Sequence, residues 1–324
     1  MSTNVRVTKR PLGGTNIHVT PIGLGMMEFA GGGGLMGFAF PIIDQQVKND
    51  TVQAGLDGGI NWFDTAELYG AGVSERSLST ALKAAGKKDQ DVIIATKWWP
   101  LFRTASNIPK TIDDRLRFLD GYSIALYQVH QPFSFSTPEA EMEAMAKLVK
   151  AGKIRSVGVS NFNAEQMRRA HGQLQKHGLP LASNQVRYSL LDRRIERNGV
   201  LETANELGIT IIAYTPLGSG LLSGKYHREP ELLEKKSGIW RTRLQRGLGK
   251  SRALIAVLEE IAARYNATAA QVALNWVINS QGEIVVTIPG VTRVSQAQES
   301  AGAMNFRLNR DEIAQLDNVS AAIA

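Results

Sequence analysis

Short apolar runs alternate with longer amphipathic stretches along most of the chain. The apolar runs fall at residues 21–25, 60–63, 92–96, 124–129, 154–159, 182–185, 209–213 and 284–288. Helix-like stretches lie between them at residues 45–56, 75–85, 104–119, 138–150, 164–175 and 200–207. Continuous apolar strands that alternate with helices predict a parallel sheet covered by helices on both faces.

Polar side chains at the carboxyl ends of six of these runs decide between two kinds of parallel fold. An open doubly wound sheet draws its site from few strands at one crevice, whereas a closed barrel brings all strand ends around one mouth. The six positions are Asp64, Lys97, His130, Ser160, Gln185 and Tyr214. We therefore predict an α/β protein, a (β/α)8 TIM barrel, with residues 1–324 forming a single domain.

Two smaller features precede the second barrel strand. Apolar positions at residues 5–7 and 17–19 predict an N-terminal β-hairpin that plugs the barrel bottom. The glycine run at residues 31–34 lacks both the P-loop lysine and the spacing of a Rossmann turn. We interpret it as a flexible loop after the first strand.

Composition narrows the class of protein. The 43% hydrophobic and 21% charged residues are typical of a soluble globular protein, and no apolar run approaches the roughly 20 residues of a membrane span. The chain has no cysteine, which excludes disulfides, thiolate metal sites and a cysteine nucleophile; no metal site is predicted. We expect a cytoplasmic protein that acts on a small molecule, without membrane or nucleic-acid partners. Assembly into a homo-oligomer stays open.

The formal net charge of +7 comes in large part from residues 228–252, which we predict to be a basic loop. Such a segment is either a solvated surface or a contributor to the binding of a phosphate-bearing ligand. No nucleic-acid motif accompanies it.

Four ionisable side chains, Asp64, Tyr69, Lys97 and His130, follow three successive strands and suggest proton chemistry. A tyrosine with an ordinary pKa of about 10 is a poor base but a usable acid at neutral pH. A lysine ammonium beside the phenol would lower its pKa, and a carboxylate paired with that lysine would keep the lysine charged. The imidazole could orient a carbonyl oxygen or share in the proton transfer. Together these groups fit the reduction of a carbonyl.

Carbonyl reduction also needs a hydride donor, and other residues near the mouth could hold one. Ser160, Asn161 and Gln185 could bind a nicotinamide carboxamide, and Tyr214 offers an aromatic face to its ring. The glycine-punctuated segment 216–225 could wrap a pyrophosphate with its backbone amides.

A second anion site is predicted after the last strand. The segment from Ile288 to Arg293 leads into a helix that we expect to begin near Val294. A helix N-terminus beside an arginine is suited to bind phosphate, and TIM barrels often hold phosphate at this place.

In order and placement these motifs resemble the aldo-keto reductases, near the branch of bacterial and plant reductases and potassium-channel β-subunits. The residues that carry the resemblance are 61–66 with 69–70, 95–97, 128–130, 158–162, 184–185, 213–217 and 288–290. The resemblance implies NADPH-dependent reduction of aldehydes or ketones on a (β/α)8 barrel. It implies that Tyr69 is the general acid, that Lys97 and Asp64 tune it, and that His130 orients the carbonyl.

The resemblance also implies a set of contacts with NADPH. The nicotinamide would be bound by Ser160, Asn161, Gln185 and Tyr214. The loop over the pyrophosphate would contribute Leu217, Gly218, Ser219, Leu221 and Lys225. The adenine and the adenosine 2′-phosphate would contact Gly290, Arg293, Gln296 and Glu299. Ser300 and Thr292 depart from the family pattern at the adenosine end.

Substrate identity is constrained only by aromatic and apolar residues after the strand ends. Six such residues could line an apolar pocket: Met27, Phe29, Trp98, Trp99, Phe102 and Phe133. Of these, Met27, Phe29, Trp98 and Phe133 are predicted as the substrate pocket. No arginine is placed to clamp a carboxylate or phosphate, so we expect neutral aldehydes or ketones.

Two other functions stay open at this point. One is a lyase that forms a Schiff base on Lys97, for which the lysine would have to be neutral. The other is a regulatory subunit that binds NADPH but turns over slowly, which would keep the same four ionisable residues.

Overall fold

Eight parallel strands form the centre of the protein in a computed structural model that describes residues 7–34, 40–234 and 238–323. In sheet order the strands are β3 (Leu24–Gly25), β4 (Trp62–Asp64), β5 (Ile93–Trp98), β6 (Ile124–Val129), β7 (Ile154–Ser160), β8 (Leu181–Arg187), β9 (Thr210–Tyr214) and β10 (Val285–Ile288). Parallel bridges from Ile22 to Thr287 and from Gly25 to Gly290 join the first strand to the last. The predicted (β/α)8 barrel is confirmed.

Both faces of the strands are buried, which explains why the runs are apolar throughout. One cluster fills the barrel interior and includes Trp62, Leu126 and Val286. A larger cluster, with Ile94 and Tyr127 among its members, lies between the strands and the surrounding helices. Because successive side chains point to opposite faces of a strand, β4, β5, β6, β8, β9 and β10 each contribute to both clusters.

Helices cover the outside of the barrel. They are α1 (Gln45–Asp57), α2 (Val73–Ala84), α3 (Ile108–Leu119), α4 (Pro138–Lys150), α5 (Ala164–Gln175), α6 (Val200–Leu207), α7 (Lys225–Arg228), α8 (Gly238–Arg264), α9 (Ala269–Asn279), α10 (Val294–Gly302) and α11 (Arg310–Ala321). Local signals fix several starts: Asn163 and Gln166 form a reciprocal capping box at α5, and the Thr137 side chain accepts a hydrogen bond from Ala140 at α4.

The basic segment 228–252 is not the loop that we predicted. Its second half is the start of the long helix α8, which buries Leu244, Leu254 and Ile255. These apolar residues are spaced along one face, and the many arginines and lysines between them hide the helical period in the sequence. Residues 235–237 lie outside the described part of the chain.

The N-terminal hairpin closes the bottom of the barrel. Strand β1 (Arg10–Pro11) pairs antiparallel with β2 (His18–Val19). The first strand was predicted at residues 5–7, but Val7 is not in a strand. Residues 5 and 6 lie outside the described part of the chain. Arg10 donates to the carbonyls of Ile278 and Val285 at 2.6 and 2.7 Å, which anchors the hairpin at the amino end of β10.

The described residues contain neither a membrane span nor a cluster of metal ligands. No helix in those residues is long and apolar enough to cross a membrane. No cluster of three or more histidine, aspartate or glutamate side chains in the same part of the chain is arranged to hold a metal ion. The cytoplasmic location and self-association stay predictions from the sequence.

Candidate active site

The four ionisable residues meet at the carboxyl end of the barrel. Asp64 ends β4, Lys97 is the penultimate residue of β5, and His130 directly follows β6. Tyr69 lies on the loop after β4, where its amide donates to the carbonyl of Ala66 at 3.0 Å. Hydrogen bonds between neighbouring strands thus set the position of each side chain.

Lys97 is fully buried and uses its ammonium group on three acceptors. Its Nζ forms an ion pair with Asp64 and donates to the carbonyl of Thr65 at 3.0 Å. The third contact is with the Tyr69 Oη atom at 3.4 Å. The lysine therefore links the carboxylate to the phenol, as the sequence predicted.

The second oxygen of Asp64 is held by two glutamines. Gln128 Nε2 donates to Asp64 Oδ2 at 3.1 Å and Gln185 Nε2 donates to the same atom at 2.9 Å. Gln185 Nε2 also donates to Gln128 Oε1 at 3.3 Å. No role was predicted for Gln128, although a polar residue two positions before His130 within an apolar run was the available signal. The carboxylate is thus held by three side chains.

The pKa of Tyr69 differs from the prediction. Burial raises it well above its ordinary value, and the negative charges of Asp64 and Glu28 add to the rise. The nearby lysine does not reverse this effect. Burial also lowers the pKa of Lys97, while the carboxylate of Asp64 raises it. Tyr69 is therefore a neutral phenol that holds its proton at neutral pH.

His130 is uncharged at neutral pH. Burial lowers the pKa of its imidazole well below the ordinary value, and the charge of Lys97 lowers it further. The ring contacts the Tyr69 ring edge-on, with centroids 5.6 Å apart, and the Trp99 ring at 5.3 Å. A neutral imidazole in this place can orient a carbonyl oxygen but holds no extra proton to donate.

The predicted nicotinamide-binding residues form one hydrogen-bonded chain. Ser160 Oγ donates to the carbonyl of Gln185 at 2.9 Å, and Asn161 Nδ2 donates to Ser160 Oγ at 3.0 Å. Tyr214 Oη donates to Asn161 Oδ1 at 2.9 Å. Arg187, which follows Gln185 by two residues on the same face of β8, lies over the Tyr214 ring at 5.6 Å. The sequence analysis found no arginine placed to clamp a carboxylate or phosphate, and it assigned no role to Arg187.

The predicted pyrophosphate segment is a 3₁₀ turn over Gly218–Ser223. Ser219 and Gly220 adopt left-handed backbone conformations, with φ of 59° and 88°. Leu221 is buried against the cluster that contains Tyr226 and Leu244, so its side chain anchors the turn. Leu217 is half-buried before the turn and Ser219 is exposed on it.

Beyond this turn lies a cavity of about 470 Å³ with several cationic residues. Its lining includes Lys225, Arg228, Arg293 and Glu299. Arg228 is paired with Glu259 at 2.6 Å, and Glu299 accepts from Thr268 Oγ1 at 2.7 Å. The structure thus brings together Arg293 and Glu299, two of the residues predicted for the adenosine end, with Lys225 of the predicted pyrophosphate loop.

The side chain of Gln296 forms hydrogen bonds within the turn before α10. Its Oε1 atom accepts from the amide and the hydroxyl of Thr292 at 2.8 and 3.0 Å. Helix α10 begins at Val294, as expected, and Arg293 is exposed at its N-cap. Gln296 therefore stabilises the turn that presents Arg293.

The predicted substrate pocket needs two corrections. Phe29 and Trp98 have no exposed surface and belong to the core between strands and helices, where Trp98 Nε1 donates to Asn107 Oδ1 at 2.9 Å. Met27 and Phe133 are 38% and 44% exposed. Trp99 takes the place expected of Trp98, because its ring lies between those of His130 and Phe133.

This barrel and its strand-end residues define an oxidoreductase of the aldo-keto reductase class. The chain belongs to the aldo-keto reductase family, since the sequence profile described as "Aldo/keto reductase family" matches residues 21–321. It is 33% identical over 313 residues to "Pyridoxal reductase, chloroplastic" of Arabidopsis thaliana, which covers 93% of this chain and 83% of that protein.

Two further proteins show the same relationship. "Aldo-keto reductase yakc [NADP(+)]" of Schizosaccharomyces pombe is 32% identical over 279 residues, covering 82% of this chain and 80% of the yeast protein. A thermostable aldo-keto reductase solved with the inhibitor epalrestat superimposes with a TM-score of 0.75 and 30% identity. That alignment covers 96% of this chain and 99% of the solved one.

Proposed function

We propose that this protein reduces aldehydes or ketones to alcohols with NADPH, and that Tyr69 donates the proton. The observation that carries the proposal is the contact of the Lys97 ammonium with both Asp64 and the Tyr69 phenol. The neutral imidazole of His130 lies against the same phenol ring. These groups surround one point at which a carbonyl oxygen could be placed.

The residues present fit a nicotinamide dinucleotide. Both hydrogens of the Gln185 amide are used within the site, which leaves its Oε1 atom to accept from a carboxamide. Ser160 and Asn161 lie beside it, and the Tyr214 ring offers a stacking face. NADPH bound there would supply the hydride that is added to the carbonyl carbon.

The proton step follows from the charges in the site. Tyr69 keeps its proton until negative charge develops on the carbonyl oxygen, and it then protonates that oxygen. The phenolate left behind lies beside the Lys97 ammonium, which Asp64 and Thr65 hold in place. Gln128 and Gln185 fix Asp64, so these side chains need not reorganise during the reaction.

Tyr69→Phe tests this role. The variant removes the phenolic proton and keeps the ring that packs on His130. We expect a loss of aldehyde-dependent NADPH oxidation of at least about 100-fold with NADPH affinity little changed in a fluorescence titration. Turnover that survives the substitution would refute the assigned role.

A preference for NADPH over NADH is proposed from the cations at the adenosine end. Arg293 is exposed at the N-cap of α10 and shares the cavity with Lys225. A 2′-phosphate there would gain charge-assisted hydrogen bonds. Arg293→Ala should weaken NADPH binding about tenfold and leave NADH binding unchanged, as measured by fluorescence. An equal effect on both cofactors would contradict the assignment.

The substrate is proposed to be an uncharged carbonyl compound with an aromatic or apolar body. Trp99 and Phe133 extend outward from His130 as a row of edge-to-face rings, with centroids 5.3 and 5.7 Å apart. The name of the plant relative, pyridoxal reductase, is compatible with an aromatic aldehyde. Steady-state kinetics with matched benzaldehydes and straight-chain aldehydes would test this preference, and Trp99→Ala should reduce it.

The geometry gives no support to a Schiff base on Lys97. A nucleophilic lysine needs a free lone pair, whereas this ammonium contacts Asp64, Thr65 and Tyr69 at once. Trapping with borohydride in the presence of substrate should therefore give no covalent adduct at Lys97.

A further inference from the structure

Glu28 is a carboxylic acid in the mouth of the barrel that the reaction described above does not use. It lies in a 3₁₀ turn, Met27–Ala30, that directly follows β3. Its Oε2 atom is buried and has no hydrogen-bond partner among the residues that the structure describes. Its charge raises the pKa of Tyr69, so it acts on the phenol through space.

The carboxyl group of Glu28 lies against the turn that follows β10. A Cβ atom placed on Gly290 would fall 2.5 Å from Glu28 Oε1 and 2.7 Å from Oε2. The two residues are brought together because Gly25 pairs with Gly290, and its amide donates to the carbonyl of Pro289 at 2.9 Å. Glycine at position 290 therefore leaves the room that the carboxyl group occupies.

In the described part of the chain, the cations near Glu28 bind other groups. Lys48 of α1 donates to the carbonyl of Phe29 and to Ser77 Oγ at 3.3 and 2.9 Å. The other charged groups of the neighbouring elements have partners of their own. Asp64 pairs with Lys97, and Glu75 pairs with Arg115. Arg76 lies over the ring of Phe118, and Arg293 lies at the N-cap of α10. Burial alone raises the pKa of Glu28 to about 7, and only its own backbone amide opposes the rise.

Glu28 lies close to the path between the two ends of the proposed dinucleotide site. The cavity that contains Lys225 and Arg293 is suited to the phosphate-bearing end of a dinucleotide, and Tyr69 marks the reacting end. The Gly290 turn leads into Arg293, while Glu28 contacts that turn and acts electrostatically on Tyr69. A ligand that reaches from one end to the other therefore passes close to Glu28.

We propose that the protonation of Glu28 controls cofactor binding. With a neutral carboxyl group at Glu28 the anionic cofactor binds along the Gly290 turn, whereas the carboxylate weakens its binding. The inference rests on the proposed function, because it takes NADPH as the ligand. An ionised Glu28 would repel the phosphates of the cofactor and would also make Tyr69 a weaker acid. Binding of NADPH is thus coupled to the uptake of a proton by Glu28 at alkaline pH.

The first experiment is a fluorescence titration with NADPH between pH 5.5 and 9 at constant ionic strength. It compares the wild type with Glu28→Gln, which keeps the shape of the side chain and removes its charge. The two proteins should bind equally at pH 6. At pH 8.5 the wild type should bind about tenfold more weakly than the variant. Glu141→Gln is the matched control, because burial also raises the pKa of Glu141 to about 7 but this residue lies on α4.

A second experiment uses the wild type alone and does not depend on the folding of a variant. Calorimetry of NADPH binding at pH 8, in buffers of different ionisation enthalpy, should show the uptake of roughly half a proton, the amount that a tenfold effect implies for a carboxyl group with a pKa of about 7. Absence of uptake, or a Glu28→Gln variant that follows the wild type at every pH, would overturn the role of Glu28 and leave the reductase proposal intact. Failure of NADPH to bind at any pH would refute the proposed function itself, and this inference with it.

Discussion

Two buried ion pairs lie on opposite faces of the same strand and differ in how completely they are satisfied. Lys97 of β5 points into the barrel and pairs with Asp64. The preceding residue, Thr96, points outward and donates to Glu75 Oε1 at 2.7 Å. Glu75 in turn pairs with Arg115 of α3 at 3.2 Å, between the barrel and the helices.

The inner pair has a complete set of partners. Asp64 accepts from Lys97, Gln128 and Gln185, and the remaining donors of Lys97 reach Thr65 and Tyr69. A fully bonded pair holds its charges at fixed positions in a low-dielectric site. That is the property a proton-transfer site needs.

The outer pair is incompletely bonded. Glu75 Oε2 and Arg115 Nη1 form the ion pair at 3.2 Å but make no hydrogen bond within the described residues, and neither does Arg115 Nε. Burial raises the pKa of Glu75 to about 7 even though Arg115 acts against the rise. Glu75 can therefore take up a proton near neutral pH, which removes the carboxylate and leaves the Arg115 cation. The comparison indicates that burial alone does not make an ion pair functional; the surrounding hydrogen bonds do.

Breaking the inner pair should have the largest effect. Lys97→Met leaves the Asp64 carboxylate buried without its cation, so we expect a loss of about 3–5 kcal/mol in unfolding free energy. Carbonyl reduction should fall at least about 100-fold, because the phenolate of Tyr69 loses its stabilising charge. Denaturant unfolding and steady-state kinetics measure the two effects.

The double variant Asp64→Asn with Lys97→Met is the control for this substitution. It removes both charges, so it should recover part of the lost stability and none of the activity. A single variant as stable as the wild type would show that the inner pair does not hold the charges as described.

Breaking the outer pair should cost less. Arg115→Met removes the cation beside Glu75, but that carboxyl group can stay protonated near neutral pH. We expect a loss of about 1–3 kcal/mol at pH 7 and reductase activity within about threefold of the wild type. Thermal or denaturant unfolding at pH 6 and pH 8 measures the loss, which should be larger at pH 8. A loss of activity as large as that of Lys97→Met would contradict the conclusion that only the inner pair serves the reaction.

The smallest effect concerns a buried carboxyl group without any cation. Glu141 accepts from Ser134 Oγ at 2.6 Å, and burial raises its pKa to about 7 from 4.5. A raised carboxyl pKa gives a stability contribution that is present below pH 4.5 and lost as the pH rises through about 7. Glu141→Gln should therefore match the wild type in acid and exceed its unfolding free energy at pH 8 by about 1–2 kcal/mol. Equal stability at both pH values would contradict the assignment.

The sequence predicted the barrel because its strands are buried on both faces and its polar residues recur at their carboxyl ends. Strand β6 and helices α4, α5 and α6 have the predicted bounds. The errors in the substrate pocket came from side-chain direction. Once Lys97 is placed inside the barrel, alternation along β5 points Trp98 outward, and this reasoning would have selected Trp99 for the pocket.

Other parts of the site needed three-dimensional contacts. Glu28 becomes noticeable only when the pairing of Gly25 with Gly290 brings its carboxyl group against the last strand. The raised pKa of Tyr69 likewise reflects burial and two carboxylates from different loops. These effects depend on distances between residues far apart in the chain, which periodicity does not encode.

The closure of the barrel between its first and last strands has a consequence for synthesis on the ribosome. The bridges from Ile22 to Thr287 and from Gly25 to Gly290 form only after β10 has left the exit tunnel. Asp64, Lys97 and His130 come from strands that emerge much earlier. The acid–base residues are therefore synthesised well before the Gly290 turn, and the contact that completes the ring of strands is the last strand pairing that the growing chain can make.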